Sequence, residues 1–259
     1  MTATLGILGV GHLASYVVAG LRNARDDRKI ILSPRNQQRQ QMLVKSYGCE
    51  GANSNQEVVD TADILLLCVR PQQLENLLES VKFSPGQLVV SCIAGVPLAQ
   101  LQRQLRDQTV VRTMPLACAE VGQGAVPVYP SNAQATELLR RLGTLVELNS
   151  EAEFELATVA ACMNGWMFSY FDHLTHWYQN QGLEPAKARE LVLASVNGAV
   201  ALAIARPERG LGAISDSIAT DGTYTKLGLD LLQQRGAFEP WSEACDAVEA
   251  ALTPTHPSA

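Results

Sequence analysis

A pair of glycines near the start of the chain has the spacing of a phosphate-binding turn. An apolar stretch leads directly into Gly9-x-Gly11-x-x-Ala14, and a helical pattern follows. Gly9 permits the tight turn from strand to helix, Gly11 lets the backbone approach a pyrophosphate, and Ala14 lets the helix pack closely on the strand. The pyrophosphate would bind the free N–H groups at the helix start, near His12 and Leu13. The spacing predicts a dinucleotide cofactor, against the alternative of a plain turn.

The residues after the second predicted strand indicate which dinucleotide is bound. An NAD enzyme places Asp or Glu about 20 residues past the glycines to bind the ribose 2′-hydroxyl. Here that position holds Ser33-Pro34-Arg35. A carboxylate would repel a 2′-phosphate, whereas a guanidinium binds it in a bidentate manner. Ser33 and Arg35 therefore favour NADP(H), the alternative being that Arg35 is only a solvated charge. Arg39, one helical turn further on, could assist Arg35, but it is expected only to face water.

The first 150 residues alternate between short apolar runs and helical stretches. Helices are expected to begin near residues 12, 36, 72, 97 and 132. Strands are expected at 4–9, 29–33, 63–69, 87–93, 109–113, 124–129 and 144–148. Alternation of this kind is typical of an α/β fold, here a Rossmann doubly wound parallel sheet with helices on both faces. We therefore expect a cofactor-binding Rossmann domain at residues 1–150.

Strand signals end near residue 150, and the rest of the chain is predicted to be an all-helical domain at 151–259. Helices are expected at 151–180, 184–205, 207–217, 222–234 and 238–252, with Pro185, Pro207 and Pro240 at helix starts and a frayed tail at 253–259. The segment 151–180 carries many large apolar side chains. They form either an ordinary core or a dimer interface interlocked with a partner's helices.

The composition limits the classes of function. The chain has 259 residues, 47% of them hydrophobic and 18% charged, with a net charge of −6. The negative charge argues against nucleic acid and anionic membranes as partners, and no apolar run is long enough to span a membrane. The six cysteines and four histidines lack metal-ligand spacing, so no metal is expected. The scattered cysteines fit a reducing cytoplasm, and the opening strand does not read as an export signal.

Further short motifs follow in order along the first half. They are Asn55-Gln56-Glu57, Val69-Arg70-Pro71-Gln72, Ser91-Cys92-Ile93-Ala94-Gly95-Val96 and Arg112-Thr113-Met114-Pro115. Together with the glycine turn and Ser33-Pro34-Arg35, they resemble the pyrroline-5-carboxylate reductase family nearly end to end. The resemblance implies that Asn55 meets the cofactor ribose and that Val69, Arg70 and Pro71 pass over the cofactor. Ala94 and Gly95 would lie under the nicotinamide, at the edge of the sheet where ligands bind.

The helical half departs from the family pattern. Where the family has Ser-Gly-Ser-Gly-Pro-Ala-Tyr, the chain has Ala160-Ala161-Cys162-Met163-Asn164-Gly165-Trp166. The family's Ser-Pro-Gly-Gly-Thr-Thr corresponds to the segment 220–225, in which the final threonine survives as Thr225. The resemblance implies that Thr225 lies near the imine nitrogen, and Asp172 falls where the family has glutamate. We therefore expect a different imine, or a related small carbonyl compound, in place of pyrroline-5-carboxylate.

Thr225, Asn164 and Asp172 are the candidate substrate-contacting residues, with Tyr224 and Asp221 as further possible donors. Each has a structural alternative. Thr225, Thr220 and Asp221 could be helix caps, Asn164 could bond to another helix, and Asp172 could be solvated or ion-paired. Cys162 replaces a family serine and could line the pocket, but a role as nucleophile is not expected.

The chain is thus expected to be an NADPH-dependent reductase of a C=N bond in a small imine, working as a homodimer or larger homo-oligomer. A second enzyme class, the related hydroxyacid dehydrogenases, requires a lysine one helical turn from Asn164. The sequence has no lysine between Lys82 and Lys187. A rival from another class is a non-catalytic NADP(H)-binding dimer that senses redox state.

Overall fold

The structure is a computed structural model that describes residues 3–252. The described chain divides into two compact units, one of residues up to Ala161 with the last residues from Ala251, the other Cys162–Ala250. The boundary proposed from the sequence, at 150/151, lies at the first residue of the long helix that runs through both units. The tail at 253–259 lies outside the described residues. None of the helices within 3–252 is long and apolar enough to cross a membrane.

The first unit is built on a single eight-stranded sheet. Its strands are β1 (Leu5–Leu8), β2 (Ile30–Leu32), β3 (Glu50–Gly51), β4 (Ile64–Leu67), β5 (Leu88–Ser91), β6 (Thr109–Thr113), β7 (Ala125–Tyr129) and β8 (Thr144–Glu147). The strand order is β3-β2-β1-β4-β5-β6-β7-β8. From β1 the sheet grows outward through β2 and β3 on one side and through β4 and β5 on the other. The strand order therefore reverses at β1. Ligands of doubly wound folds bind outside the carboxyl ends of the strands at such a switch point.

Helices cover both faces of this sheet. They are α1 (His12–Asn23), α2 (Gln37–Tyr47), α3 (Asn55–Thr61), α4 (Pro71–Glu79), α5 (Leu98–Gln104) and α6 (Ala133–Leu139), with a 3-10 helix at Ala117–Val121. One buried cluster joins the sheet to α1, α2 and α6, and a second joins it to α3, α4 and α5. β4 reads Ile-Leu-Leu-Leu because its side chains alternate between these two cores and are buried on both faces.

The structure confirms the predicted doubly wound sheet, with one exception in direction. β7 runs antiparallel to β6, whereas β8 runs parallel to β7. A parallel return needs a crossover of about a dozen or more residues, usually a full helix. The connection from Thr113 to Ala125 contains only the five-residue 3-10 helix, so the chain turns back directly. The sequence prediction also missed β3 and α3, which are two and seven residues long and too short to show a clear period.

The second unit is helical throughout its described length. The long helix α7 (Glu151–Asn180) enters it, followed by α8 (Pro185–Ile204), α9 (Leu211–Ile218), α10 (Tyr224–Gln234) and α11 (Glu239–Leu252). Gly182, with φ of +93°, ends α7, and Glu184 caps α8 through two backbone N–H groups with Pro185 in its first turn, as expected. The prediction that Pro207 starts a helix is wrong, because 205–210 forms a turn and α9 begins after Gly210.

The helices of the second unit bury few of their own side chains. Within the described residues α10 and α11 have no fully buried side chain, and α8 buries only Ala188 and Val192. Large apolar residues are exposed instead, among them Ile204 at 74%, Leu211 at 72% and Leu227 at 69%. On α7 itself Phe168 is 61% and Trp177 is 53% exposed. Of the two interpretations of the apolar 151–180 segment, this exposure favours an interface over a core closed within one chain.

Candidate functional site

The glycine turn forms the floor of a cleft at the carboxyl edge of the sheet. Gly9 has φ of +98°, and a Cβ built on it would lie 2.7 Å from the backbone carbonyl of Cys68. Its N–H donates to Ser33 Oγ at 3.0 Å. Gly9 is therefore required both by backbone conformation and by space, since a side chain there would collide with the chain leaving β4.

Gly11 leaves room above the start of α1. A Cβ on Gly11 would meet nothing within 4 Å, so the absent side chain opens space toward solvent. Gly11 is the N-cap of α1, and no side chain caps the free N–H groups of the first turn. An uncapped helix start beneath open space is suited to bind phosphate oxygens. These two observations fit the pyrophosphate of a dinucleotide.

Two adjoining clefts of about 310 and 430 Å³ meet at this turn. Their shared lining is Gly9, Arg35, Val69 and Gln73. One extends over Ser33, Asn55 and the polar face of α4, and the other over Gly11, Asn36, Gln37, Cys68 and Arg70. Arg35 and Arg70 are the charged residues among those lining the clefts, and none of the lining residues is acidic. In a chain with a net charge of −6, this local excess of cations favours an anionic ligand.

Ser33 and Arg35 take different positions at the end of β2. Ser33 is buried and holds the glycine turn through the Gly9 bond. Arg35 is exposed at the cleft mouth, and no partner for its guanidinium is found between residues 3 and 252. A guanidinium without an ion-pair partner, beside the predicted ribose position, can bind a phosphate without breaking an existing ion pair.

Arg39 does not simply face water as expected. Its Nη2 lies 3.1 Å from His12 Nε2, and this contact links the first turns of α1 and α2. His12 opens α1 as predicted, but neither His12 nor Leu13 lines the two clefts. Any role of these two residues in binding a phosphate would therefore fall to the backbone N–H groups of the first turn of α1.

The motif residues after β4 and β5 also lie at this edge. Arg70 occupies the N-cap position of α4 without a capping bond from its side chain, and Pro71 is the first residue of the helix. Ala94 and Gly95 follow β5, with Gly95 at φ of +67° and open space around its missing side chain. Pro71, Ala94 and Gly95 do not line either cleft, whereas Asn55, Val69 and Arg70 do.

Sequence reasoning missed the contribution of α4. Gln73, Asn76 and Ser80 line the cleft next to Asn55 and Arg35. Their spacing of three and four residues places them on one face of a helix, and all three are polar. That periodicity, directly after the Arg70-Pro71 motif, was the available signal.

The three candidate substrate residues belong to the helical unit. Asn164 is half-buried on α7, and its side chain has no hydrogen-bond partner within the described part of the chain. Of its two alternatives, the bond to another helix is therefore not found there. Asp172 is exposed, and its Oδ2 lies 3.4 Å from His176 Nδ1. It also borders a groove of about 710 Å³ between α7 and α8, together with Arg189.

Thr225 lies in the first turn of α10, and the expected caps of this helix are wrong. Thr223 is the cap, since its Oγ1 accepts from Lys226 N–H at 3.2 Å and donates to the Thr220 carbonyl at 2.7 Å. Neither Thr220, Asp221 nor Thr225 caps the helix through its side chain. The exposed hydroxyl of Thr225 is therefore not engaged as a cap, which leaves it available for a ligand.

Comparisons with known proteins agree with these features. A family model described as "NADP oxidoreductase coenzyme F420-dependent" matches residues 4–95, and one described as "Pyrroline-5-carboxylate reductase dimerisation" matches residues 151–253. A pyrroline-5-carboxylate reductase of Synechocystis sp. is 28% identical over 246 residues, which cover 91% of this chain and 92% of that protein.

Solved structures show the same fold. The 1-pyrroline-5-carboxylate reductase of Streptococcus pyogenes superposes with a TM-score of 0.84 at 23% identity, over 96% of this chain and 98% of that one. The pyrroline carboxylate reductase of Plasmodium falciparum, solved with NADP bound, gives 0.81 at 20% identity, over 96% and 97%.

Proposed function

Because the chain belongs to the pyrroline-5-carboxylate reductase family, we propose that it is an NADPH-dependent reductase of the C=N bond of a small imine. The observation that carries the proposal is the cleft around Gly9 and Gly11, which combines an uncapped helix start, two arginines and no acidic lining residue. This is the arrangement that a dinucleotide with several phosphate groups requires.

The choice of NADP(H) over NAD(H) depends on Ser33 and Arg35. The usual acidic residue at the end of β2 would hydrogen-bond a free ribose 2′-hydroxyl and repel a 2′-phosphate. Ser33 is neutral and already bonds to the Gly9 N–H, while Arg35, which has no partner among the described residues, supplies a positive charge at the cleft mouth. Asn55 and the polar side chains of α4 are proposed to bind the ribose and its neighbouring groups.

When bound, NADPH would supply the hydride for the imine carbon. The chain must then orient the imine and keep its nitrogen protonated or hydrogen-bonded. We assign these tasks to Thr225, Asn164 and Asp172. The Thr225 hydroxyl does not cap α10, and the Asn164 side chain bonds to no other helix among the described residues. Of the three, Asp172 is the carboxylate, which can interact with a cationic imine nitrogen, and its Oδ2 lies 3.4 Å from His176 Nδ1.

The substrate is proposed to be an imine other than pyrroline-5-carboxylate. Ala160 and Cys162 stand where the family has two serines, and Asn164 stands where it has a proline. The loop before α10 carries Asp221. A site that loses the hydroxyl groups made for one polar substrate loses affinity for it steeply, and a carboxylate in the loop disfavours an anionic substrate. A less anionic imine fits these changes better.

The active form is proposed to be a homodimer assembled through the helical unit. Its exposed apolar side chains on α8, α9 and α10 are more than a soluble monomer normally leaves uncovered. The match of residues 151–253 to a dimerisation family supports a homo-oligomer. The cytoplasmic location expected from the cysteines stays a prediction.

An NADPH oxidation assay tests the proposed function. Pyrroline-5-carboxylate, other cyclic imino acids and uncharged cyclic imines are compared as substrates, with wild type beside Thr225→Ala and with Thr223→Ala as a control for the α10 cap. Turnover of an uncharged imine that falls in Thr225→Ala more than in Thr223→Ala supports the assignment. Efficient turnover of pyrroline-5-carboxylate overturns the substrate proposal. NADPH binding without turnover of any compound favours the non-catalytic binding protein.

A further inference from the structure

Two cysteines lie opposite each other at the ends of the neighbouring strands β4 and β5. Leu67 is paired with Ser91 in parallel register, and the Cys92 N–H donates to the Leu67 carbonyl at 3.0 Å. Cys68 directly follows the last residue of β4, and Cys92 directly follows the last residue of β5. Leu66 and Val90, two positions earlier, belong to the same core cluster as Cys92, and Cys68 packs against that cluster. Both thiols therefore point to the same face of the sheet.

The spacing of the two strands suits a covalent link. Neighbouring strands lie about 4.8 Å apart, and the Cα atoms of disulfides are roughly 4.4 to 6.8 Å apart. The neighbouring Cys68 side chain, together with burial, raises the pKa of the Cys92 thiol well above its usual range, in keeping with two side chains that lie side by side.

The two thiols differ in access to solvent. Cys68 is half-buried and lines the cleft between Gly9 and Arg70, whereas Cys92 is 6% exposed. A small oxidant entering the cleft therefore meets Cys68 first. The first attack on the oxidant therefore falls to Cys68, the more accessible of the two sulfurs.

We propose that Cys68 and Cys92 form a dithiol that a peroxide oxidises to a disulfide at the floor of the cofactor cleft. The Cys68 thiol releases its proton and its sulfur attacks one peroxide oxygen, so that the O–O bond breaks and Cys68 becomes a sulfenic acid. The other oxygen leaves as hydroxide and takes up the released proton to form water. The Cys92 sulfur then attacks the Cys68 sulfur and displaces hydroxide, which takes the Cys92 proton. Two thiols lose two electrons and two protons, and one hydrogen peroxide becomes two waters.

The disulfide would weaken dinucleotide binding, a consequence that rests on the proposed function. The Cys68 backbone supports the glycine turn, since its N–H donates to Leu8 at 2.8 Å and its carbonyl limits the space at Gly9. A disulfide that draws the Cys68 side chain toward Cys92 also moves the Cys68 backbone N–H and carbonyl that contact the glycine turn. The turn that receives the pyrophosphate then loses its fitted position, so oxidation lowers the affinity for NADPH.

Peptide mass mapping after oxidation tests the link directly. The reduced full-length protein is treated with hydrogen peroxide, its remaining thiols are alkylated, and NADPH affinity is measured by fluorescence before oxidation, after it, and after a thiol reductant. We expect a Cys68–Cys92 crosslinked peptide, formed faster at higher pH, and a loss of affinity of about tenfold that the reductant reverses. Bound NADPH should slow the crosslinking.

Variants separate this pair from the other cysteines. Cys92→Ala should form no crosslink and should lose the reversible response, whereas Cys118→Ala should behave as the wild type does. Wild-type protein in which both thiols remain alkylatable, or in which Cys68 goes to a sulfinic acid without the link, overturns the inference. If the reduced protein does not bind NADPH, the proposed function fails, while the mapping still decides the disulfide.

Discussion

The fully buried Arg112, near the end of β6, places its Nη1 atom 2.6 Å from Oε1 of Glu155 on α7. The same nitrogen donates to Glu151 in the first turn of α7, and the guanidinium carbon lies 4.4 Å from the centre of the Phe154 ring. Arg112 thus fastens the start of the long helix to the edge of the sheet. Among the described residues its Nε and Nη2 atoms have no hydrogen-bond partner. The desolvation of the buried guanidinium is therefore offset mainly by its interactions with the two glutamates.

Removal of this arginine should destabilise the first unit strongly. Arg112→Met leaves two neighbouring carboxylates without their cation, and we expect the free energy of unfolding to fall by about 3 kcal/mol. The matched control is Arg140→Met, because Arg140 is exposed and lies 3.6 Å from Glu147. That change should cost less than about 1 kcal/mol. Urea unfolding at one protein concentration measures both, and similar losses in the two variants would contradict a special role for Arg112.

The two glycines of the turn should respond differently to the same substitution. Gly9→Ala places a side chain at φ of +98° against the Cys68 backbone. The strain should lower the free energy of unfolding by about 1 to 3 kcal/mol. Gly11→Ala meets open space, so the melting temperature should stay near that of wild type while NADPH affinity falls about tenfold. Calorimetry and NADPH titration separate the effects. An unchanged affinity in Gly11→Ala would place the pyrophosphate elsewhere.

Arg35 should decide the preference for the phosphorylated cofactor. A lost charge-assisted hydrogen bond is worth about 1.5 to 3 kcal/mol, so Arg35→Ala should weaken NADPH binding roughly 10- to 100-fold and change NADH binding little. Arg39→Ala, which removes the contact to His12, is the control for a nearby positive charge. Isothermal titration with both cofactors gives the answer. Equal losses for NADPH and NADH would show that Arg35 does not contact the 2′-phosphate.

Asp26 should make stability sensitive to acid. Burial opposes ionisation of this carboxylate, but the Arg28 side chain and N–H and the charge of Arg141 outweigh it and lower the pKa of Asp26. A lowered folded-state pKa means that the stabilisation is complete above the unfolded value and is lost as pH falls through the folded one. Asp26→Asn should therefore be less stable than wild type at pH 7, by about 2 kcal/mol.

The same comparison at low pH checks the sign. The gap between wild type and Asp26→Asn should narrow as pH falls below about 5, because the wild-type carboxylate becomes protonated. Urea unfolding measured at several pH values follows the gap. A difference that stays constant down to pH 3 would show that the charge of Asp26 contributes nothing.

Charge on the exposed face of α10 should prevent assembly. Leu227 is 69% exposed in the single chain, and Leu227→Glu should shift the protein toward monomer if that face is covered by a second copy. Val121→Glu is the control, since Val121 is 66% exposed in the first unit. Sedimentation velocity over a range of concentrations measures both. Monomer formation in neither variant would place the interface away from α10.

The sequence alone was enough to predict the doubly wound sheet and the helical second half. Gly9, Gly11, Ser33 and Arg35 were identifiable because a phosphate turn and the end of β2 impose residue types at fixed separations. Long helices such as α7 were found because many turns repeat the same periodicity. Local rules of this kind act over a few residues, so they can be read without knowing the fold.

Other features depended on the tertiary structure. The reversed direction of β7 follows from a short connection, and the cap of α10 fell to Thr223 although three nearby residues were equally suitable by type. The contacts of Arg112 with Glu155 and of Cys68 with Cys92 join residues 43 and 24 positions apart. Only the packing of β4, β5, β6 and α7 brings these groups together, because partners distant in sequence leave no local pattern.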